Sequence, residues 1–294
     1  MTVAKPSMPV AVVTGASSGI GRATARRFAA GGYAVALAAR RAERLVELAS
    51  EIQADGGTAL AVPTDLSDAG QTSALVVRTL ETWGRIDVLV NNAGYGPPYA
   101  LEQLDRDALR HVFDVNLLSA MQLIGEVTPI MRAQGGGRVV NISSLSRYVG
   151  APFASSYAAT KGGMEAMNAC LRLELAPWKI QLAVVVPGFV DTPAFETSRE
   201  AGKHLREDPD NPYRELMDNL DEFAEQQLQS AISPEDVADV IWKAATARNP
   251  KPRYFAPRSA RTAARMFAMM PSTLAEKILR GMYKWGPERE PDAG

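Results

Sequence analysis

A tyrosine and a lysine stand four residues apart in SSYAATKGG, at Tyr157 and Lys161. On a helix that spacing sets the phenol and the ammonium one turn apart on the same face. A free phenol titrates near ~10 and is a sluggish base at neutral pH. A positive neighbour stabilises the phenolate and brings proton exchange within reach, so the pair reads as a proton-transfer device. Ser143 and Ser144 lie shortly upstream, and either hydroxyl is available to a reacting oxygen on which charge develops. Weight comes from a second feature, TGASSGIG at Thr14 to Gly21. Gly15, Gly19 and Gly21 fall where an apolar run must turn sharply into a helix, whose free N–H groups and positive end can receive a pyrophosphate. The next apolar run ends ALAARR, which puts Arg40 and Arg41 where a dinucleotide fold reads the adenosine ribose. Arginine there favours a 2′-phosphate, whereas an acid would favour a free hydroxyl. The expected cofactor is therefore NADP(H) over NAD(H).

The elements that must hold these groups follow from the apolar pattern. PVAVVTG and YAVALAAR read as strands, and the segments from Ile20 to Ala30 and Ala42 to Ala54 as helices. The rhythm continues with strands near Thr58 to Val62, Ile86 to Asn91, Gly137 to Ser143, Ile180 to Val186 and Arg253 to Ala256. Nearly unbroken valine, isoleucine and leucine implies strands covered on both faces, as in a parallel sheet. The predicted fold class is α/β, a Rossmann-type doubly wound parallel sheet in three α/β/α layers. Residues 1–256 form one dinucleotide-binding and catalytic domain, with a helical insertion at 191–230 and an amphipathic extension at 257–294. From 191 to 229 the chain carries 11 acids against 4 lysines and arginines, whereas 257 to 285 carries 6 basic side chains and the single acid Glu276. In the extension, Thr273 and Glu276 predict a capping box that starts its second helix.

Composition excludes several classes. The 294-residue chain has a net charge of −1 with both signs interspersed, which gives no footprint for nucleic acid. Cys170 is the single cysteine and the histidines are His111 and His204, so neither a disulfide framework nor a zinc site of cysteines and histidines is expected, and no metal is. Cys170 reads as small core filler, and the two histidines as surface residues. No signal peptide or bilayer-length apolar run is evident, so a soluble, cytoplasmic protein is expected.

TGASSGIG, NNAG at Asn91 to Gly94, Asn116, NISS at Asn141 to Ser144, YAATK, and PG at Pro187 to Gly188 occur in that order. With these motifs, residues 8 to 256 resemble the short-chain dehydrogenases/reductases. The resemblance implies that Gly15, Ser17, Ser18, Gly19, Ile20 and Gly21 meet the cofactor's phosphates and ribose. It implies Arg40, with Arg41, at the 2′-phosphate, Asp65 and Leu66 at the adenine, and Asn92, Ala93 and Gly94 along the cofactor. Pro187, Gly188, Val190 and Thr192 would hold the nicotinamide end. Asn116, Ser144, Tyr157 and Lys161 would be a catalytic tetrad, the family spacing selecting Ser144 over Ser143. Tyr157 would exchange a proton with the substrate oxygen, Ser144 would hydrogen-bond it, and Lys161 would lower the tyrosine pKa and bind the nicotinamide ribose. Asn116 would position water leading to Lys161. The sequence departs from many NADP-preferring relatives at Ser18, where they carry a second basic residue, and its tail exceeds the family's usual length. The family also implies a homodimer or homotetramer through the helices of Asn116 and Tyr157.

Tyr95, Tyr148, Phe153, Phe189 and Phe195 lie in segments expected to border the nicotinamide, and with Ser144 and Tyr157 they predict a small, apolar carbonyl or alcohol as substrate. The acidic insertion would act as its lid. The methionines and aromatics of the tail are expected to pack on that insertion or on a partner subunit in preference to a membrane surface. A cofactor-sensing protein without catalysis, or an enoyl reductase or epimerase, uses the same scaffold. The presence of both Tyr157 and Lys161 weighs against the sensor, and the Ser144 to Tyr157 spacing suits carbonyl chemistry better.

Overall fold

The computed structural model describes residues 8–286. Seven strands form one parallel sheet: β1 (Val10–Thr14), β2 (Ala34–Ala39), β3 (Thr58–Pro63), β4 (Val88–Asn91), β5 (Gly137–Ile142), β6 (Ile180–Pro187) and β7 (Arg253–Ala256). Their order is β3-β2-β1-β4-β5-β6-β7, so the winding reverses between β1 and β4. A doubly wound sheet opens a crevice at that reversal, beyond the carboxyl ends of its strands.

Side chains of successive strand residues point to opposite faces, and here each face has its own core. Ala11, Val13, Val35, Leu37, Val140 and Val185 pack against α1 (Gly19–Ala30), α2 (Ala42–Ala54) and α10 (Pro234–Thr246). Val12, Ala36, Leu89, Val139 and Leu182 pack against α3 (Ala69–Trp83) and α5 (Ser119–Gln134), with α6 (Ser155–Glu174) beside them. Strands buried on both faces explain why their sequences lack polar alternation. On the first face Phe28, Tyr33 and Trp242 meet edge to face at 5.2 to 5.6 Å, which locks α1 to α10. Helix ends follow local chemistry: Asp68 caps α3 by accepting from Gly70 N and Gln71 N, and Ser233 with Asp236 closes a capping box at α10.

Three local expectations are corrected. The fourth strand begins at Val88, because the Ile86 backbone is bonded in both directions by the Gln134 side-chain amide. Asn116 lies in a π-helical turn, Asp114–Leu118, between α4 (Arg106–Phe113) and α5. Cys170 on α6 is exposed and is not core filler.

The insertion leaves the sheet after β6 and returns before α10. Its roots are paired, since Asp191 N donates to Ile232 O (3.0 Å) and Ile232 N to Phe189 O (3.2 Å). Between them run α7 (Ala194–Ala201), α8 (Lys203–Glu207) and α9 (Arg214–Leu228). Some of its acid is neutralised internally: Arg206 grips Asp221 with Nε and Nη2 at 2.8 and 2.9 Å, and Arg199 reaches Glu225 at 2.9 Å.

The tail forms α11 (Arg258–Met269) and α12 (Ser272–Met282), the latter followed by the buried Tyr283. The Tyr283 ring lies edge to face with Phe223 of α9 at 5.1 Å, and Phe223 meets Phe189 at 6.0 Å. Lys284 pairs with Glu222 of α9 at 2.7 Å. The tail thus packs on the insertion, while Met269 stays 85% exposed. The expected capping box is not formed: Pro271 holds the N-cap of α12, and Glu276 instead accepts from Arg280 at 2.7 Å. No helix among the described residues is long and apolar enough to cross a membrane. The last eight residues of the proposed extension, 287–294, lie outside the described residues.

Candidate active site

β1 ends at Thr14, and the chain turns through Gly15 at φ +68° and Gly19 at φ +51° into α1. These left-handed angles favour glycine. Space adds a second demand, because a Cβ at Gly21 would lie 2.1 Å from Gly15 O and 2.6 Å from Asn92 Nδ2. No side chain caps the N-terminus of α1, so its first-turn amides stay available to an anion. Arg41 Nη2 donates to Ser17 Oγ and Ser18 Oγ, both at 2.9 Å, which holds a guanidinium at the lip of the turn. Arg40 is exposed beside it. Burial and the charges of Arg44 and Arg40 pull the Arg41 guanidinium below its ordinary value, as expected where positive charge is concentrated.

Thr14, which the sequence reading passed over, joins this turn to NNAG. Its buried hydroxyl donates to Val90 O and accepts from Asn92 N and Ala93 N at 3.0 Å, and its carbonyl accepts from Asn92 Nδ2. Asn91 and Asn141 belong to a different chain of bonds, Asn91 Nδ2 to Asn141 Oδ1 and Asn141 Nδ2 to Asn168 Oδ1, which ties β4, β5 and α6 together inside the protein. Leu66 is buried, and Asp65 is engaged locally. The Ser67 backbone N–H, then its hydroxyl, hold the Asp65 carboxyl below its usual range.

The π-helical turn directs the buried Asn116 side chain inward. Its Nδ2 donates to Tyr95 O (2.8 Å) and Thr160 Oγ1 (3.2 Å), and its Oδ1 accepts from Tyr95 N (3.0 Å). Gly94 lets this loop close on α6, for a Cβ there would stand 3.1 Å from Lys161 Nζ and 3.3 Å from Asn116 Oδ1. Gly94, Asn116 and Lys161 are therefore neighbours, although 67 residues separate the first from the last.

Tyr157 and Lys161 share one face of α6, and Lys161 Nζ lies 5.4 Å from the centre of the tyrosine ring. Ser144 Oγ accepts from Ser146 N at 3.2 Å and Ser146 Oγ at 2.9 Å. Burial raises the Tyr157 phenol above its ordinary value, and the neighbouring Ser144 hydroxyl offsets part of that rise. The expected acidifying effect of Lys161 is not among the causes. The ammonium is itself desolvated, which pulls its pKa down to about 8, and it donates to Ile142 O at 2.8 Å.

Beyond β6, Pro187 and Gly188 lead into the root of the insertion. Val190 pairs with Ile232, and the Thr192 methyl comes within 3.0 Å of where a Cβ of Gly19 would stand. The loop after β6 thus lies over the glycine turn. Phe153, at φ +60°, meets Tyr213 edge to face at 5.9 Å, and Phe189 meets Phe223. Tyr95 packs on the half-buried His111, Phe195 is half-buried on α7, and the exposed His204 lies against Tyr99. Tyr148 is drawn elsewhere: its hydroxyl donates to Glu165 and its ring packs on Phe255 and under Arg147. The described residues contain no group of three histidines, cysteines or acids placed to hold a metal.

The family model for the short chain dehydrogenases matches residues 9–203. An uncharacterised oxidoreductase of Methylorubrum extorquens is 40% identical over 67% of this chain and 79% of its own. A solved actinorhodin polyketide ketoreductase variant with NADPH superposes at a TM-score of 0.71 with 31% identity, covering 83% of this chain and 93% of that one. A solved short chain dehydrogenase/reductase of Burkholderia phymatum with NAD superposes at 0.77 with 26% identity, covering 90% and 94%. The two structures hold different nicotinamide cofactors, and both share this fold. The chain is a nicotinamide-dependent oxidoreductase of the short chain dehydrogenase family.

Proposed function

We propose that the protein is an NADP(H)-dependent oxidoreductase that interconverts a carbonyl and a secondary alcohol on a small, apolar substrate. The observation that carries this reading is the Tyr157 phenol and the buried Lys161 ammonium on one face of α6, with Nζ 5.4 Å from the centre of the tyrosine ring. A bound nicotinamide supplies the hydride in reduction and accepts it in oxidation. Tyr157 gives its proton to the carbonyl oxygen as negative charge grows there, and Ser144 donates a hydrogen bond to the same oxygen. Lys161 binds the nicotinamide ribose. Asn116 fixes the Tyr95 backbone and Thr160, and through them the spacing between NNAG and α6. It also positions water toward Lys161.

The glycine turn and the open end of α1 fit a pyrophosphate, with Gly15, Ser17, Ser18, Gly19, Ile20 and Gly21 around it. Arg40 and Arg41 take the 2′-phosphate, which supports NADP(H) over NAD(H). Asp65 and Leu66 flank the adenine, while Pro187, Gly188, Val190 and Thr192 hold the nicotinamide end. Tyr95, Phe153, Phe189 and Phe195 form the apolar wall, and the insertion acts as the lid. Leu118, Met121 and Leu173 leave apolar surface exposed around α5 and α6, which suits a homodimer or homotetramer. A cytoplasmic setting suits the single, exposed cysteine.

The test follows NADPH oxidation over carbonyls of graded size and polarity, with NADH in parallel. Apolar ketones are expected to be reduced, and Tyr157→Phe to lose about 10²- to 10⁴-fold in kcat while still binding NADPH. NADPH binding without turnover of any carbonyl would replace the enzyme reading by a cofactor sensor.

A further inference from the structure

Glu165 is a carboxylate that the reaction above does not use. It stands one turn beyond Lys161 on α6, and its side chain is 1% exposed. Its Oε1 accepts from Ser143 Oγ at 2.9 Å, and its Oε2 accepts from Tyr148 OH and Arg253 Nε, both at 2.7 Å. Arg147 Nε adds its charge at 3.9 Å. Burying an ionised carboxylate is costly unless it is paired and hydrogen-bonded, so a site that satisfies both oxygens holds its donors firmly. Tyr148 registers the contact: burial, then the bond to Glu165, push its phenol up to about 12.

The donors bracket one residue. Ser143 precedes Ser144, Tyr148 closes the 3-10 turn Leu145–Arg147 that follows it, and Arg253 anchors the carboxylate to β7. Ser144 carries the hydroxyl that must face the substrate oxygen, and its backbone is extended, with no regular element of its own to fix it. We propose that Glu165 is the positioning residue of the Ser144 loop: it clamps the loop on both sides of the serine and thereby sets where that hydroxyl points during carbonyl reduction. The inference rests on the proposed reaction for its kinetic consequence and on the hydrogen bonds alone for the clamp.

Glu165→Gln keeps the shape and one acceptor oxygen but turns an amide toward either Ser143 or the Tyr148 and Arg253 pair. With the apolar ketone the full-length enzyme reduces best, kcat is expected to fall about 10- to 100-fold, the range a misplaced group costs, with the Kd for NADPH unchanged. In a Ser144→Ala background the same substitution is expected to cost nothing further. Tyr148→Phe, which leaves the ring in place, is expected to give a smaller loss of the same kind and serves if Glu165→Gln does not fold. Amide hydrogen exchange across residues 144–149 reads the clamp without any turnover, and both variants are expected to speed it. Unchanged exchange in a folded Glu165→Gln enzyme overturns the clamp whatever the activity. A kcat loss of equal size with and without Ser144 overturns its action through the serine. A wild-type enzyme that reduces no carbonyl defeats the reaction assigned above and leaves the exchange result standing.

Discussion

At the reversal between β1 and β4 the candidate site is held by backbone geometry and one buried hydroxyl: Thr14 Oγ1 accepts from the Asn92 and Ala93 amides, Gly15 and Gly19 take left-handed angles, and Gly21 leaves no room for a side chain. Beyond β6 it is held by side chains. Phe189, Phe223 and Tyr283 form a line of edge-to-face rings from the root of the insertion to the tail, with ion pairs such as Lys284 with Glu222 along its flank. Backbone geometry admits few sequences and moves little, whereas side-chain contacts between helices and exposed ion pairs tolerate substitution and open at smaller cost. A cofactor of fixed shape suits the first construction, and a substrate that must enter and leave suits the second.

The sharpest test of the rigid side is Lys161→Met. Activity is expected to fall about 10³-fold, the scale of lost acid-base catalysis. Stability should move the other way at neutral pH, because burial of the charged ammonium opposes folding. The sign follows from its folded pKa of about 8 against 10.5 when free. Between those values the unfolded chain binds more protons at this site, so wild-type stability gains from rising pH across that window. The Tm advantage of Lys161→Met should be greatest below pH 8 and shrink toward pH 10, as differential scanning calorimetry without cofactor would measure. An advantage constant with pH would mean that Lys161 is not the titrating group.

Gly21→Ala attacks the same side through space alone. Its Cβ would meet Gly15 O at 2.1 Å, a backbone atom that has nowhere to go. A loss of about 3 kcal/mol or more is expected, seen as a fall in Tm of roughly 10 °C, together with loss of NADPH binding by fluorescence titration. A variant that keeps both would show that the turn yields and that the contrast between the two sides is one of degree.

The rigid side was also the legible one. Buried strands write themselves as runs such as VAVV, and the α2 limits, Ala42 to Ala54, follow directly from periodicity. The left-handed turn announces itself through glycine. What the sequence hid depends on partners distant along the chain. Glu165 looks like any acid on a helix until Ser143, Tyr148 and Arg253, the last 88 positions away, converge on it. The same convergence took Tyr148 into a cluster of its own. The turn that points Asn116 inward was hidden as well, because a π turn has no periodicity of its own over five residues. Thr273 and Glu276 had the spacing of a capping box, yet Pro271 already fixed the entry of α12 and Arg280 offered Glu276 a charged partner. Cys170 sits in apolar sequence but on the outward face of α6.

Arg41→Ala sets one side-chain contact against the backbone cradle. The guanidinium reaches Ser17 and Ser18 at the lip of the turn, where a 2′-phosphate would compete for it. The ratio of kcat/KM for NADPH over NADH is expected to fall about tenfold, the worth of one charge-assisted contact. Stability should stay within about 0.5 kcal/mol, since the residue is exposed. Equal losses with both cofactors would assign Arg41 to shaping the turn instead of reading the phosphate.

The smallest effects belong to the tail, where two neighbouring residues separate packing from charge. Tyr283 is 6% exposed, lies against Phe223 and donates to Gly150 O at 3.3 Å, so it spans α9 and the loop that follows Ser144. Tyr283→Ala removes both contacts and should free the insertion to open more often. The expected result is a KM for the carbonyl higher by about 3- to 10-fold, with kcat and the Kd for NADPH unchanged and faster proteolysis within residues 202–213. Lys284→Ala removes only an exposed ion pair, worth under about 1 kcal/mol and screened by salt. It should leave KM and proteolysis as they were. If the lysine variant moved KM as far as the tyrosine variant, charge would be what closes the insertion, raising salt would mimic the substitution, and the line of rings from Phe189 to Tyr283 would be a bystander.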